Sequence, residues 1–221
     1  MIVGLIGLIG SGKDTVGDIL KDEYGFEKES FAKPLKDAIS LIFNWDRNLL
    51  EGETQESREW REKVDSWWSS KLNKRITPRL VLQMMGTEAG RNIFGNNLWL
   101  SSLINRLDTS KDYIITDTRF ENEVNALTEI GAKIIRVKRG PDPDWLGFAK
   151  YIKSLPKLEG TYLNYLDEYD YKNLNYNIEI PHIHPSEWDW ANVDFDYIIK
   201  NDGNIEDLKN NVKTFLNTQK G

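Results

Sequence analysis

The hydrophobic pattern of the chain switches between two periods. Ile2 to Ile6 is a short continuous apolar run, as a strand buried on both faces of a parallel sheet requires. Lys13 to Tyr24 then places Val16, Ile19, Leu20 and Tyr24 at helical spacing, with Gly25 as a stop. Strand signals follow at 29–32, 113–116, 133–137 and 195–199. Helical patterns separate them at 34–43, 79–85, 98–107, 121–130 and 205–216. Strands alternating with helices predict right-handed βαβ units and a parallel sheet sandwiched by helices. Two stretches interrupt the alternation. Residues about 44–76 are charged, tryptophan-containing and helical in pattern, and about 140–192 are rich in Tyr, Asn, Asp and Pro. Both read as insertions on a single domain spanning 1–221, and long insertions in compact domains tend to carry function.

Composition narrows the classes. At about 150 residues per domain, 221 residues make one large domain or one with sizeable insertions. Hydrophobic residues at 39% and charged residues at 29% describe an ordinary globular chain, neither membrane-embedded nor disordered. The absence of cysteine excludes disulfides, thiolate metal sites and cysteine nucleophiles, and suits a reducing cytoplasm. The balance of 29 basic against 35 acidic side chains leaves a net charge of -6, poor for gripping duplex DNA through its phosphates. Small-molecule partners are therefore expected, with no stable nucleic-acid partner. The apolar start, Met1 to Gly10, has no basic leader and runs straight into a polar glycine-rich turn, so it reads as neither signal peptide nor membrane span.

The strongest chemical signal lies between the first strand and the first helix: Gly7-Leu-Ile-Gly10-Ser11-Gly12-Lys13-Asp14-Thr15. This is the spacing and context of a P-loop. Glycines let successive N–H groups turn toward phosphate oxygens, the helix N-terminus adds positive potential, and Lys13 reaches the β and γ phosphates. Asp14 stands where Ser or Thr usually holds Mg²⁺. It can coordinate the ion through water or orient Thr15, or it is simply a first-turn acid favoured by the helix dipole. The only Asn-Lys pair, Asn73-Lys74, continues Arg75-Ile76 and so lacks the base-reading motif of a guanine switch. The pattern favours a small phosphotransferase.

At the end of the 113–116 strand comes Thr116-Asp117-Thr118-Arg119. Ligands of open α/β sheets bind outside the carboxyl ends of the strands, so Asp117 can hold Mg²⁺ or accept from substrate and Arg119 can stabilise phosphoryl charge. The competing reading is a helix N-cap followed by a surface Arg–Glu pair. Further back, Thr77-Pro78 begins a helix carrying Arg79 and Gln83 on one face, a phosphate clamp and an amide able to read a base edge. His182 and His184 are the only histidines, and without a third ligand they predict no metal site. The run 53–63 reads as a solvated amphipathic helix whose Arg58 and Arg61 can face a substrate.

With these pieces in place the chain resembles the bacteriophage deoxynucleoside monophosphate kinases of the T-even type, within the P-loop nucleoside monophosphate kinases. The matching residues are Ser11 to Thr15, Ala32-x-Pro34-Leu35-Lys36-Asp37-Ala38, Arg79 to Thr87, Asp117-Thr118-Arg119 with Glu123, His184-x-Ser186-Glu187 and Asn201-Asp202-Gly203, in the same order along nearly the whole chain. The resemblance implies a three-layer α/β sandwich with a five-stranded parallel sheet of order 2-3-1-4-5. It implies a helical region at about 33–112 containing an acceptor-binding insertion at 44–76, and a lid at about 140–192. ATP and Mg²⁺ are the implied co-substrate and metal, and a homodimer in the host cytoplasm the implied state. Carried over, Gly7, Gly10, Ser11, Gly12, Lys13, Asp14 and Thr15 bind ATP phosphates, with Arg139, Asn201, Asp202 and Gly203 on the ATP-base side. Asp117 and Arg119 lie at the reaction centre beside Lys13 and Asp14, the metal falling to Asp14 and Asp117. Lys33, Lys36, Arg79, Gln83, Thr87, Glu88, His184 and Glu187 fall to the acceptor or lid.

Three rival functions share these features: a kinase acting on a hydroxymethylated base within DNA, another small-metabolite kinase such as one for dephospho-coenzyme A, and a nucleotide-binding module without catalysis. Seven of the eight tryptophans, all but Trp99, lie in the two interrupting stretches, where they are expected to give the acceptor region and lid a packing surface.

Overall fold

The computed structural model describes residues 1–154 and 187–219. Five strands form one parallel sheet of order β2-β3-β1-β4-β5: β1 (Ile2–Ile6), β2 (Glu27–Glu29), β3 (Tyr113–Ile115), β4 (Lys133–Lys138) and β5 (Tyr197–Lys200). The helices are α1 (Lys13–Tyr24), α2 (Lys33–Phe43), α3 (Gln55–Glu62), α4 (Ser66–Leu72), α5 (Pro78–Gln83), α6 (Asn92–Phe94), α7 (Leu98–Ile104), α8 (Glu121–Glu129), α9 (Asp144–Ser154) and α10 (Ile205–Thr218). No helix among the described residues is long and apolar enough to cross a membrane.

Side-chain alternation along β1 builds the layers. Val3 and Leu5 enter a core with Val16, Ile19 and Leu20 of α1 and Val212 and Phe215 of α10. Ile6 enters the opposite core with Leu103 of α7, Leu127 of α8, Leu146 of α9 and Trp190. The central strand is thus buried on both faces, which is why it is written as an unbroken apolar run. Gly4 sits beneath α8, where a Cβ would lie 2.8 Å from Leu127 Cδ1.

Three elements differ from the periodicity. The second strand is Glu27–Glu29 instead of 29–32. As a polar edge strand it carries no apolar signature, and the N–H groups of Phe31 and Ala32 go to Asp117 instead of a neighbouring strand. The last strand begins at Tyr197, because the Asp196 carboxylate takes the Ile134 N–H that a longer ladder would use. The helix at 79–85 turns π-helical over Met84–Arg91. There Trp99 donates its indole N–H to the Gly86 carbonyl at 2.9 Å and packs where a Cβ on Gly90 would sit.

Between β2 and β3 the helices build a core of their own from Leu35, Ile39, Trp45, Leu50, Ile76 and Val81, with Phe43, Trp60 and Trp68 against it. Four of its rings form a chain: Trp60 meets Trp45 edge-on at 5.9 Å, Trp45 stacks on Phe43 at 4.5 Å, and Phe43 meets Trp68 at 4.8 Å. The later tryptophans do something else. Trp190 is buried in the sheet's own core with Trp145 and Trp188 packed nearby, and the Arg136 guanidinium lies over its ring at 5.3 Å.

Trp45→Ala should therefore cost about 3–5 kcal/mol in urea unfolding, as for other buried aromatics. Trp67→Ala, which removes a side chain that is 58% exposed, should cost less than about 1 kcal/mol. Equal losses would contradict this packing.

Candidate active site

The loop between β1 and α1 is held by close approach to two other strands. Gly7 (φ 146°) lies against β4, where a Cβ would sit 2.4 Å from the Val137 carbonyl. Gly12 (φ 98°) lies against the end of β5, where a Cβ would sit 2.3 Å from Asn201 Nδ2. Both positions need glycine for conformation and for space. Asn201 donates its side-chain amide to the Ser11 carbonyl at 2.9 Å and its backbone N–H to Lys138. Asp202 accepts from the Gly140 N–H at 2.6 Å. These two residues, expected on the ATP-base side, thus brace the loop and the exit of β4. Gly203 closes the turn before α10 under the Asp207 side chain. A cleft opens between Leu8–Ser11 and Arg136–Arg139, with Asp142 on its wall, and the exposed Arg139 stands at this opening.

Lys13 bends back over its own loop, donating to the carbonyls of Gly7 at 2.8 Å and Leu8 at 3.0 Å. Burial and the neighbouring Arg119 hold its ammonium below the usual lysine range, with Glu187 and Asp14 acting in the opposite direction. The structure therefore brings Lys13, Asp14, Arg119 and Glu187 together, as four charges around one loop. Glu187 reaches the loop from the far end of the chain: Oε2 accepts from the Ile9 N–H at 3.2 Å, and Oε1 lies 3.8 Å from Arg119. Asp14 and Thr15 are exposed in the first turn of α1.

Asp117 does not point freely into the cleft. Its two oxygens accept from the N–H groups of Phe31 and Ala32 at 3.1 and 3.2 Å, tying β3 to the start of α2. Burial pushes its carboxyl above the usual range, against those two donors and the attraction of Lys36 and Arg119. Of the two lysines expected near the acceptor, Lys36 pairs with Glu51 at 2.5 Å, and Lys33 pairs with Glu29 at 2.5 Å. Glu51 also holds Arg47, which pins the 44–53 segment to α2.

Arg79, Gln83, Thr87 and Glu88 are all exposed. Arg79 approaches Glu62 at 3.8 Å, and its charge reaches Arg61. Arg61 lies flat on Gly52, where a Cβ would meet its guanidinium at 2.0 Å, and its buried Nε has no hydrogen-bond partner among the described residues. Burial, then Arg79, lower its affinity for its proton, with Arg58 adding to the repulsion and Glu62 and Glu51 acting in the opposite direction. Arg58 fastens to the carbonyls of Gly52 and Glu53 at 3.0 Å each. Glu53 in turn reaches Lys28, which pairs with Asp18 of α1 at 3.1 Å, so this arginine group stands beside the first helix of the P-loop. A periodicity reading assigns the 53–63 run to solvent and misses the crowding. The one signal for it was the Arg58–Arg61 spacing of three. His184 lies outside the described residues.

Glu123 is a second residue that the charge pattern undersold. It is 5% exposed, accepts from the N–H groups of Arg119 and Phe120 at 2.9 and 3.1 Å, and lies 3.8 Å from Arg91. Burial pushes its carboxyl up to about 7, with Asp117 adding repulsion and the two N–H donors and Arg91 opposing. Its place at the third position of α8, reaching back to the cap, is the pattern that could have marked it. By this contact it fixes the backbone that carries Arg119.

Residues 47–144 match the family model described as deoxynucleotide monophosphate kinase. A putative deoxynucleotide monophosphate kinase of Acanthamoeba polyphaga mimivirus is 33% identical over 153 residues, covering 63% of this chain and 74% of the viral protein. The deoxynucleoside-5'-monophosphate kinase of Escherichia phage T5 is 28% identical over 180 residues, covering 58% of this chain and 72% of the phage protein. Among solved structures, the dephospho-CoA kinase of Campylobacter jejuni aligns over 99% of this chain and 96% of its own at 16% identity, with a TM-score of 0.43, which adds nothing to the topology above.

Because Glu123 takes up its proton at about 7 when folded and at 4.5 when unfolded, the native state binds the extra proton between those values. Stability therefore falls as pH rises through that window. Glu123→Gln keeps the acceptor for the backbone N–H groups and should gain on the wild type by up to about 3 kcal/mol between pH 4.5 and 8. Urea unfolding at both pH values checks this, and a pH-independent difference would refute it.

Proposed function

The chain belongs to the deoxynucleotide monophosphate kinase family, and we propose that it transfers the γ-phosphoryl group of ATP to the 5'-phosphate of a deoxynucleoside monophosphate, giving the diphosphate and ADP. The observation that carries this reading is the intact cradle from Gly7 to Lys13, with Arg119 beside it and the Arg58–Arg61–Arg79 group standing beside α1. Two separated cationic centres suit two phosphate-bearing substrates.

The donor phosphates lie along the loop from Gly7 to Thr15, and Lys13 exchanges its two loop carbonyls for phosphate oxygens. Arg139 and the 201–203 turn border the nucleoside end. The acceptor phosphate is held by Arg61 and Arg79, whose mutual repulsion a dianion relieves. Lys36 lies at the edge of this acceptor site, and Gln83, one turn beyond Arg79, faces the base. Thr87, Glu88 and Lys33 border the same side. A phosphate monoester is itself a nucleophile, so no covalent intermediate or strong general base is needed. Asp117 acts by holding α2 against β3, and Arg119 neutralises charge on the migrating group.

Mg²⁺ bound with a nucleotide usually takes only one or two protein oxygens, and the exposed Asp14 carboxylate and Thr15 hydroxyl on the first turn of α1 fit that demand. When bound, the ion would supply charge neutralisation at the transferring phosphates. Asp117, already engaged by two N–H groups, fits only through water.

A screen of all dNMPs and NMPs, including hydroxymethylated pyrimidines, by coupled ADP release tests the reading. Failure of every acceptor to raise ADP release above the ATP-only rate would overturn it. Lys13→Ala should lower kcat by about 10²–10³, comparable to losing one transition-state donor. Arg61→Ala should raise KM for the dNMP about 10- to 100-fold while leaving KM for ATP near wild type, as for loss of a charged hydrogen bond. A loss confined to ATP binding would move Arg61 out of the acceptor site.

A further inference from the structure

A carboxylate stands against the anion cradle. Glu187 spends one oxygen on the backbone N–H of Ile9, inside the loop, and directs the other at Arg119, the cation that faces the migrating phosphoryl group in the reading above. Its side chain is only 22% exposed. Main-chain N–H groups of such a loop, with a helix N-terminus behind them, attract any anion of suitable size, and a carboxylate presents two oxygens to them much as a phosphate does.

The carboxylate is presented by a braced turn. Two residues on, Asp189 accepts the N–H of Glu121 at the start of α8 at 2.8 Å and pairs with Lys153 of α9 at 3.0 Å. Lys153 also reaches Glu121 at 3.0 Å, closing a small charged lattice. Three residues on, Trp190 is 1% exposed in the sheet's core. Glu187 is thereby held at the loop by contacts from two helices and a buried indole.

We infer that Glu187 is a built-in competitor for the donor's polyphosphate: it takes a main-chain N–H of the P-loop and faces Arg119, and the arriving phosphate displaces it. This rests on the kinase reading above and assigns Glu187 to the donor side, not to the acceptor. Displacement frees Arg119, so the cation needed for transfer becomes available only once the donor is seated. The competitor weakens ATP binding by the ion pair and hydrogen bond that must be surrendered.

Isothermal titration of ATP into the full chain, without acceptor, tests this in the wild type, Glu187→Gln and Glu187→Asp, with thermal melts to establish that each is folded. Glu187→Gln keeps the size and removes the charge, and Glu187→Asp keeps the charge and shortens the reach. Both should bind ATP about three- to tenfold more tightly, the worth of one surrendered polar contact. Unchanged or weaker ATP binding in Glu187→Gln overturns the inference. So does wild-type affinity in Glu187→Asp, which would reduce the effect to net charge. A raised dNMP KM with unaltered ATP affinity would make Glu187 an acceptor ligand, which also overturns it. Acceptor-dependent ADP release by the wild type reports separately on the kinase reading, so the two can fail independently.

Discussion

Everything in this site depends on how closely one loop backbone packs against two strands. Gly7 lies on the Val137 carbonyl of β4, and Gly12 lies under the Asn201 amide at the end of β5. Those approaches set the path of the turn, and a side chain at either glycine would collide with main chain or with the brace. The order β2-β3-β1-β4-β5 is what makes this possible, because it puts β4 directly beside β1 and β5 beyond it. Asn201 and Asp202 then work as struts, one to the loop and one to the exit of β4.

A chain with net charge -6 must gather cations to hold polyanions, and it does so with acids standing by as temporary partners. Lys13 rests on two carbonyls, Arg119 faces Glu187, Lys36 faces Glu51, and Arg79 faces Glu62. Arg61 differs: it is pressed onto Gly52 with its Nε unmet among the described residues, between the repulsion of Arg79 and Arg58 and the attraction of Glu62 and Glu51. Burying a charged group without partners is costly, so most of these groups stand matched.

The tryptophans divide the same way. Trp45, Trp60 and Trp68 allow a 44–76 segment of short helices to own a core, which segments of that length otherwise lack. Trp190, by contrast, belongs to the sheet's core, with Trp145 and Trp188 packed against it. It anchors the turn from which Glu187 projects. A tryptophan in an inserted stretch thus serves either the insertion or the sheet, and its position in the sequence does not say which.

The alternation of strands and helices, the phosphate loop and the glycines around it were legible from residue order, because each is a local pattern whose period or turn chemistry is written in adjacent residues. The limits of β2 and β5 were not, since a polar edge strand has no apolar period and Asp117 and Asp196 spend side chains where a ladder would spend main chain. Nor was the division of labour among the charges. Glu187 and Ile9 are separated by 178 positions, and Asp117 and Phe31 by 86. The residue types needed to handle phosphate were set by the sequence alone. Which carboxylate meets which cation was decided only when the sheet order brought those distant segments within hydrogen-bond reach, since such contacts act over a few ångströms and residue order does not encode them.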